Sequence, residues 1–269
     1  MSSTQNLDPS RRKPPFIPTL FLPLLDILAL GLWGILLIKY WVTGQLNLLI
    51  HPNYFLLVMG TGIVLLVLAG IRAFQLFNQL RPRRAKNRII LPMGQHISWF
   101  PPGWSSGLLV ATAIVGLIIE PKVFTSQTAI QRGVTETLTA TRAQVQSFRS
   151  KTKPEERSLI EWIRTLNVYP EPDAYTGQKV KVQGFVVYPP NLSSEYLLIT
   201  RFVITCCAAD AYPVSLPVKL KESRETYKPD TWLEIQGQMI TETLNNKRQL
   251  TIEANSIKKI PEPANPYYY

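Results

Sequence analysis

The residues of this chain best suited to chemistry lie in the stretch RFVITCCAADAYP, residues 201–213. It contains the only two cysteines, Cys206 and Cys207, at consecutive positions, and Asp210 follows three residues later. Thiolates and a carboxylate can ligate zinc, and the softness of sulfur favours copper as Cu(I). The spacing predicts a thiol or metal site at Cys206, Cys207 and Asp210. No resident cofactor is required, and zinc or copper is the ion this set could hold.

Three interpretations of the adjacent cysteines are open from sequence. A bridge between them would be strained, because a trans peptide holds neighbouring Cα atoms about 3.8 Å apart, below the usual disulfide range. Both thiols could bind one ion only where a strand ends, since side chains alternate faces within a strand. Alternatively both are small buried hydrophobic residues, and Asp210 caps the turn that follows. Arg201 would then pair with Asp210 or Glu195, or contact a partner protein.

The cysteine stretch belongs to a series of short segments that are predicted to be strands: the first alternates apolar and polar residues, and the second is more fully apolar, as expected for a central strand. The five segments are QKVKVQGFVVYP, EYLLITRFVITC, YPVSLPVKL, TWLEIQGQMITET and RQLTIEANSIKKI. Glycine in the first and fourth segments indicates bends. We predict an all-β small barrel over residues 175–260, similar to the oligonucleotide/oligosaccharide-binding (OB) barrel.

A helix is predicted just before the barrel, over residues 155–167. Pro154 and the two glutamates after it suit a first helical turn. Apolar residues then recur at helical spacing and form one stripe: Leu159, Trp162, Ile163 and Leu166. The outer domain is therefore expected over residues 154–269. Residues 121–153 are rich in Thr, Gln and Ser, and we expect a polar stalk or linker there.

Residues 1–120 form the predicted membrane domain, with three transmembrane helices over residues 21–41, 54–74 and 104–119. About 20 apolar residues cross the hydrocarbon core of a bilayer, so the lipid bilayer is one expected partner. Asp26 lies within the first span, and an intramembrane carboxylate is a functional candidate by default. It is also close enough to the cytoplasmic end to be an interfacial carboxylate that reaches water.

The direction of insertion follows from the charged loops. Arg11, Arg12 and Lys13 precede the first span, and the basic segment RPRRAKNR separates the second from the third. The first loop, TGQLNLLIHPN, carries no charge. The positive-inside rule places the N-terminus in the cytoplasm, and three crossings place the C-terminal domain outside the plasma (inner) membrane. We expect no cleaved signal peptide, because the first apolar run is long and no small-residue cleavage site follows it.

Two function classes are not supported by the sequence. The net charge of +11 lies mostly beside the apolar spans, and the predicted strands lack clustered aromatic and basic residues, so no nucleic-acid partner is expected. The outer domain has no histidine to act as a base, no phosphate-binding glycine loop and no paired carboxylates at a defined spacing. We predict that the chain is not an enzyme.

Together with YTGQKVKVQGFVV at residues 175–187, the cysteine stretch resembles the YcgQ-like family of bacterial membrane proteins, which are described as permease subunits. The matching positions are Tyr175, Gly177, Val180, Val182, Gly184, Phe185, Arg201, Phe202, Cys206, Cys207, Ala209, Asp210 and Ala211. The resemblance implies an accessory subunit of a multi-span permease, whose outer domain engages or covers that partner. Many relatives carry a histidine-rich segment between spans, where this chain has Arg and Lys. The alternative function is a stand-alone, membrane-anchored thiol- or metal-binding protein.

Overall fold

A computed structural model describes residues 20–81, 103–134 and 153–269, and these form two units. The first unit comprises the described parts of Met1–Gly44 and Phe55–Glu120. The second comprises Gln45–Tyr54 and the described part of Pro121–Tyr269. The loop between the first two helices therefore belongs to the C-terminal unit. The basic segments that set the predicted direction of insertion lie outside the described residues, apart from Arg81.

The helical unit contains α1 (Phe21–Val42), α2 (Phe55–Leu80) and α3 (Trp104–Ile118). By length and composition, α1 and the segment Pro52–Leu80 are able to cross a membrane. Helix α3 is apolar but has only 15 residues, so a third crossing stays a prediction.

Helix α1 is the central helix of this unit and packs against both α2 and α3. On the α2 side, a Cβ added to Gly34 would approach the Gly62 carbonyl oxygen to 3.1 Å, so the missing side chain allows close packing. On the α3 side, the Tyr40 hydroxyl donates to the Gly116 carbonyl at 2.6 Å, and the Lys39 ammonium donates to the Leu117 carbonyl at 2.9 Å. These bonds satisfy carbonyl groups at the C-terminal end of α3.

The second unit is built on a mixed six-stranded sheet. The strands are β1 (Lys179–Val187), β2 (Tyr196–Val203), β3 (Tyr212–Lys219), β4 (Trp232–Leu244), β5 (Lys247–Lys259) and β6 (Tyr267–Tyr268). The strand order is β1-β4-β5-β3-β2-β6, and β1 also pairs with β2. The β3–β5 and β2–β6 pairs are parallel, and the others are antiparallel. Strands β1 to β3 lie within their predicted segments, β4 and β5 each extend one residue beyond theirs into the hairpin turn, and β6 is an addition.

Two glycines lie where the backbones of neighbouring strands in this sheet are very close to each other. A Cβ on Gly184 in β1 would lie 2.5 Å from the Thr200 carbonyl oxygen in β2. Gly237 follows a register shift in the β4–β5 pair, where a Cβ would meet the Glu253 carbonyl. The turn between β4 and β5 has Asn245 and Asn246 at positive φ, which suits a tight two-residue hairpin.

The predicted apolar stripe lies on α5 (Leu159–Val168), which packs against the sheet. Leu159, Trp162 and Ile163 are fully or almost fully buried there, and Leu166 is partly buried. Ahead of it, α4 (Ser126–Gln131) lies within the predicted stalk. Ala129 in α4 is buried in a cluster with aromatic residues of the sheet, so the described residues 121–134 pack on the domain. Residues 135–152 of the predicted stalk lie outside the described residues.

The start of α5 differs from the expectation that Pro154 opens the helix. Pro154–Glu156 forms a separate 3-10 turn, and the helix begins at Leu159 with Ser158 as its N-cap. The Ser158 amide donates to the Glu161 carboxylate at 2.7 Å, and the Glu161 amide donates to the Ser158 hydroxyl at 3.4 Å. This capping box fixes the helix start, because it satisfies amides that have no partner within the helix.

We expect Ser158→Ala to lower the free energy of unfolding by about 1 kcal/mol, because it removes the capping hydroxyl. Pro154→Ala, which leaves the capping box intact, should cost less. Urea unfolding of both full-length variants in detergent micelles measures the difference. Equal losses would show that Ser158 does not set the helix start.

Candidate metal and thiol site

The two cysteines lie in the loop that joins the end of β2 to the start of β3. Cys206 is exposed, Cys207 is partly buried, and both are free thiols. The interpretation of both as buried hydrophobic residues is therefore wrong. The cysteines are not buried in the domain core because they lie beyond the end of the strand at Val203, just before the 3-10 turn Ala208–Asp210.

Asp210 holds this loop in shape through its carboxylate. That carboxylate accepts hydrogen bonds from the Thr205 hydroxyl at 2.5 Å, from the Cys206 amide at 2.8 Å and from the Cys207 amide at 3.0 Å. Burial acts to raise the pKa of Asp210, but the bonds from Thr205, Cys207 and Cys206 together outweigh it and hold the pKa below its ordinary value. Asp210 therefore caps the turn as an ionised side chain.

The same turn brings the three candidate ligands together. The two sulfur atoms and a carboxylate oxygen of Asp210 all lie within 4.8 Å of one another. A hydrogen bond with Cys207 is the main cause that raises the pKa of the Cys206 thiol, followed by burial and by the charges of Cys207 and Asp210. A bound cation would be attracted by the Asp210 carboxylate and would favour loss of the thiol protons, so two sulfur atoms and one carboxylate form a donor set that fits a soft metal ion.

A second backbone segment holds the loop from the side, and sequence analysis did not predict it. Ile50, between α1 and α2, forms an antiparallel bridge with Cys207. The His51 amide donates to the Cys206 carbonyl at 3.0 Å, and the Ala208 amide donates to the Leu49 carbonyl at 2.7 Å. Two features of the sequence indicate that this segment can pack on a domain: TGQLNLLIHPN carries no charge, and it contains several leucines. Leu46 is indeed buried.

Arg132, just after α4, supports the loop from another direction. Its guanidinium donates to the Ala208 carbonyl at 3.2 Å and to the Ala211 carbonyl. These bonds use backbone groups of the loop and leave its thiols free to face outward. The backbone around the thiols is therefore held in place by contacts within the chain.

Arg201 does not pair with Asp210 or Glu195 as predicted. Its guanidinium donates to the Asn265 carbonyl at 2.5 Å and to the Pro266 carbonyl at 3.3 Å, and it lies over the Tyr268 ring at 4.3 Å. Within the described ranges, no carboxylate forms an ion pair with Arg201. The side chain is buried, and it anchors the C-terminal segment to β2.

Asp26 lies in the helical unit and is not one of the candidate ligands. Its carboxylate accepts a hydrogen bond from the Ser106 hydroxyl at 2.5 Å, which links α1 to α3. A polar pair between apolar helices holds them in one register. Asp26 therefore has a packing role in this structure.

The lowered pKa of Asp210 predicts a pH dependence for the loop. The carboxylate stabilises the folded loop above the ordinary Asp pKa of about 3.9, and this contribution is lost as the pH falls through the lower, folded value. The amide proton signals of Cys206 and Cys207 should therefore titrate with a midpoint below 3.9. Asp210→Asn should abolish the transition, whereas a midpoint above 3.9 in the unsubstituted chain would contradict the capping role.

Comparison with known families identifies the part of the chain that carries this loop. Residues 135–269 match the family described as DUF1980 C-terminal domain. No curated protein matches the chain. The matched residues include all six strands and the whole cysteine loop, and the match is consistent with the resemblance to YcgQ-like proteins. The match covers half of the chain, which therefore belongs to the DUF1980 C-terminal domain family.

Proposed function

We propose that this chain is a membrane-anchored protein whose C-terminal domain binds a soft metal ion, Cu(I) or Zn²⁺, outside the plasma membrane. The supporting observation is the cluster of Cys206, Cys207 and Asp210, whose ligand atoms lie within 4.8 Å of one another on an accessible loop. The protein supplies the ligands and does not act as an enzyme.

The domain that presents the loop is proposed to be an OB-like barrel. Strand β1 pairs with both β4 and β2, so the strand order returns to its starting point after five strands. Strands β3 and β5 run parallel, and glycines occur at the close approaches in β1 and β4. A five-stranded barrel of mixed direction with bends at glycines is the OB type.

The location outside the membrane is supported by the loop between α1 and α2. That loop, Gln45–Tyr54, belongs to the same unit as the sheet, so the domain and the loop lie on one side of the membrane. If α1 and α2 both cross the membrane, the chain after α2 is on the side opposite to this loop. Helix α3 must then cross as well to bring the C-terminal domain back to the side of the loop. Three crossings with the basic segments in the cytoplasm place the domain outside.

The site has open coordination capacity for a cation. A carboxylate offers about four lone-pair positions, and Asp210 uses them for the bonds from the Thr205 hydroxyl and from the amides of Cys206, Cys207 and Thr205, so the two thiols supply the free coordination capacity. The two thiols would lose their protons on binding, since the thiolate is the metal ligand. Two thiolates with at most one carboxylate oxygen leave a position for solvent or for a ligand from a partner. Such an incomplete site suits an ion that is received and passed on.

Titration of the full-length protein in detergent tests the metal proposal. Under reducing conditions with a competing chelator, we expect one Cu(I) or Zn²⁺ per chain. Cys206→Ser and Cys207→Ser should each weaken binding, and the double variant should not bind. Thr205→Ser keeps the hydroxyl that bonds to Asp210 and is the matched control with unchanged binding. Equal binding by the double variant and the unsubstituted chain would refute the proposal.

A second candidate function is the accessory subunit of a multi-span permease, which the YcgQ-like resemblance implies and with which the surface of α2 is compatible. This helix packs on α1, but Leu56, Leu57 and Phe74 are 78%, 68% and 65% exposed. The apolar surface suits either lipid or the helices of a partner. We expect a permease to co-purify with the full-length chain in mild detergent. A permease that keeps full activity in cells lacking this chain would count against this candidate.

A further inference from the structure

The second unit contains a cavity of about 170 Å³ beside the cysteine loop, and neither cysteine lines it. One part of its wall is apolar. Ile160 and Ile163 come from α5, Val203 is the last residue of β2, and Ile204 follows it. At about 30 Å³ for each water-sized atom, the volume holds roughly five or six non-hydrogen atoms. The cavity is therefore small enough to select for a small molecule with a short hydrocarbon part.

The other part of the wall carries hydrogen-bond donors and a positive charge. Arg164, His51 and Tyr212 all line the cavity. The His51 Nδ1 atom accepts a hydrogen bond from the Asn53 amide at 3.2 Å, which leaves Nε2 as the donor atom of this ring. Burial is the main cause that raises the pKa of Tyr212, so its hydroxyl keeps its proton at neutral pH.

Two of these donors lack acceptors in the part of the chain that the structure describes. The Arg164 guanidinium makes no ion pair there, since the ion pairs among described residues involve other cations. The Tyr212 hydroxyl likewise has no hydrogen-bond partner among these residues. Among the described residues, no carboxylate lines the cavity. The half-buried Arg164 and the Tyr212 hydroxyl therefore lie beside an apolar wall, and an anionic acceptor would complement both of them.

We propose that this cavity binds a short-chain monocarboxylate. The carboxylate accepts hydrogen bonds from Arg164 and Tyr212, and its hydrocarbon chain packs on the isoleucine wall. An arginine is well suited to a carboxylate because its donors form a planar fork that matches the two oxygens. A fully hydrated oxyanion such as phosphate would leave the apolar wall without a partner. The site is separate from the cysteine site, so either proposal can fail alone.

The test compares three small molecules on the full-length protein in detergent micelles. Butyrate is the probe, butyramide has the same shape without the charge, and inorganic phosphate has charge without an apolar part. Binding is followed by chemical shift changes of isoleucine methyl groups and by calorimetry. We expect butyrate to bind and to shift the Ile160 and Ile163 methyl signals, with butyramide and phosphate at least about tenfold weaker.

Substitution of Arg164 tests the assigned contact. Arg164→Gln should weaken butyrate binding about tenfold or more, and Arg164→Lys should restore part of it because the charge is kept. Arg224→Gln is the matched control, since Arg224 has the same intermediate burial but does not line the cavity. Cys206→Ser should leave butyrate binding unchanged. Equal affinity for butyrate and butyramide, tighter binding of phosphate, or unchanged binding in Arg164→Gln would overturn the proposal.

Discussion

Gly237→Ala is expected to lower the free energy of unfolding of the C-terminal domain by about 3 kcal/mol, at the upper end of overpacking costs. A Cβ at this position would overlap the Glu253 carbonyl of β5, which is a backbone group with little freedom to move away. The register shift after Gln236 already marks this point as the sharpest irregularity in the β4–β5 pair. The substitution would force these two strands apart at the bend.

Gly60→Ala is the matched control for this prediction. It makes the same chemical change in α2, at a position where no atom of the described residues lies within 4 Å of the added Cβ. Urea unfolding of the full-length chain in detergent, followed by circular dichroism of the β domain, compares the two variants. A loss of less than about 1 kcal/mol in Gly237→Ala would show that the strands do not approach as described.

Deletion of residues 267–269 is expected to destabilise the domain by about 4 kcal/mol, similar to the removal of a large buried aromatic side chain. Tyr267 is almost fully buried and packs against Phe124 and Phe202. Its hydroxyl accepts a hydrogen bond from the Phe124 amide at 2.9 Å. The Ile204 amide, which donates to the Tyr268 carbonyl at 2.9 Å, would lose its partner as well.

The same segment supports the cysteine loop, so its loss should be visible there. The Tyr269 hydroxyl donates to the Asn47 carbonyl at 2.6 Å, in the loop that pairs with Cys206 and Cys207. We expect faster alkylation of both thiols after the deletion. Tyr169→Ala is the control, because that tyrosine is 64% exposed and its loss should change neither stability nor thiol reactivity. Unchanged stability of the deleted chain would contradict this role of the C-terminus.

Burial raises the pKa of Tyr267 to about 12, and the hydrogen bond from Phe124 only partly opposes it. A group with a raised folded pKa stabilises the fold below its unfolded pKa and loses that contribution as the pH rises through the folded value. The stability of the domain should therefore fall between about pH 10 and pH 12.

Strand β1 could be predicted because apolar residues alternate in KVKVQ, and β2 and β3 because short apolar runs rich in β-branched and aromatic residues are typical of buried strands. The short strand β6 could not, since two residues carry no periodicity and their pairing depends on β2, more than 60 positions away. The start of α5 is encoded locally: Ser158 and Glu161 have the spacing of a capping box, which is a more specific helix-start signal than Pro154.

The candidate ligands could be chosen from residue type alone, but their exposure and their long-range contacts could not be predicted from the sequence. Cysteine is usually buried, and only the turn held by Asp210 explains why Cys206 is exposed. Arg201 was expected to find a carboxylate, yet it binds the Asn265 and Pro266 carbonyls, which sequence distance gave no reason to consider. The docking of Ile50 on Cys207 is likewise a long-range contact without a local signal.

Labelling of intact cells with a membrane-impermeant maleimide tests the central claim most directly. The chain has only two cysteines, both in the exposed loop, so any label reports on that loop. We predict labelling of intact cells at Cys206, protection by prior loading with Cu(I), and no labelling of the Cys206→Ser/Cys207→Ser double variant. Labelling that occurs only after the membrane is opened would contradict an accessible, metal-binding loop outside the cell.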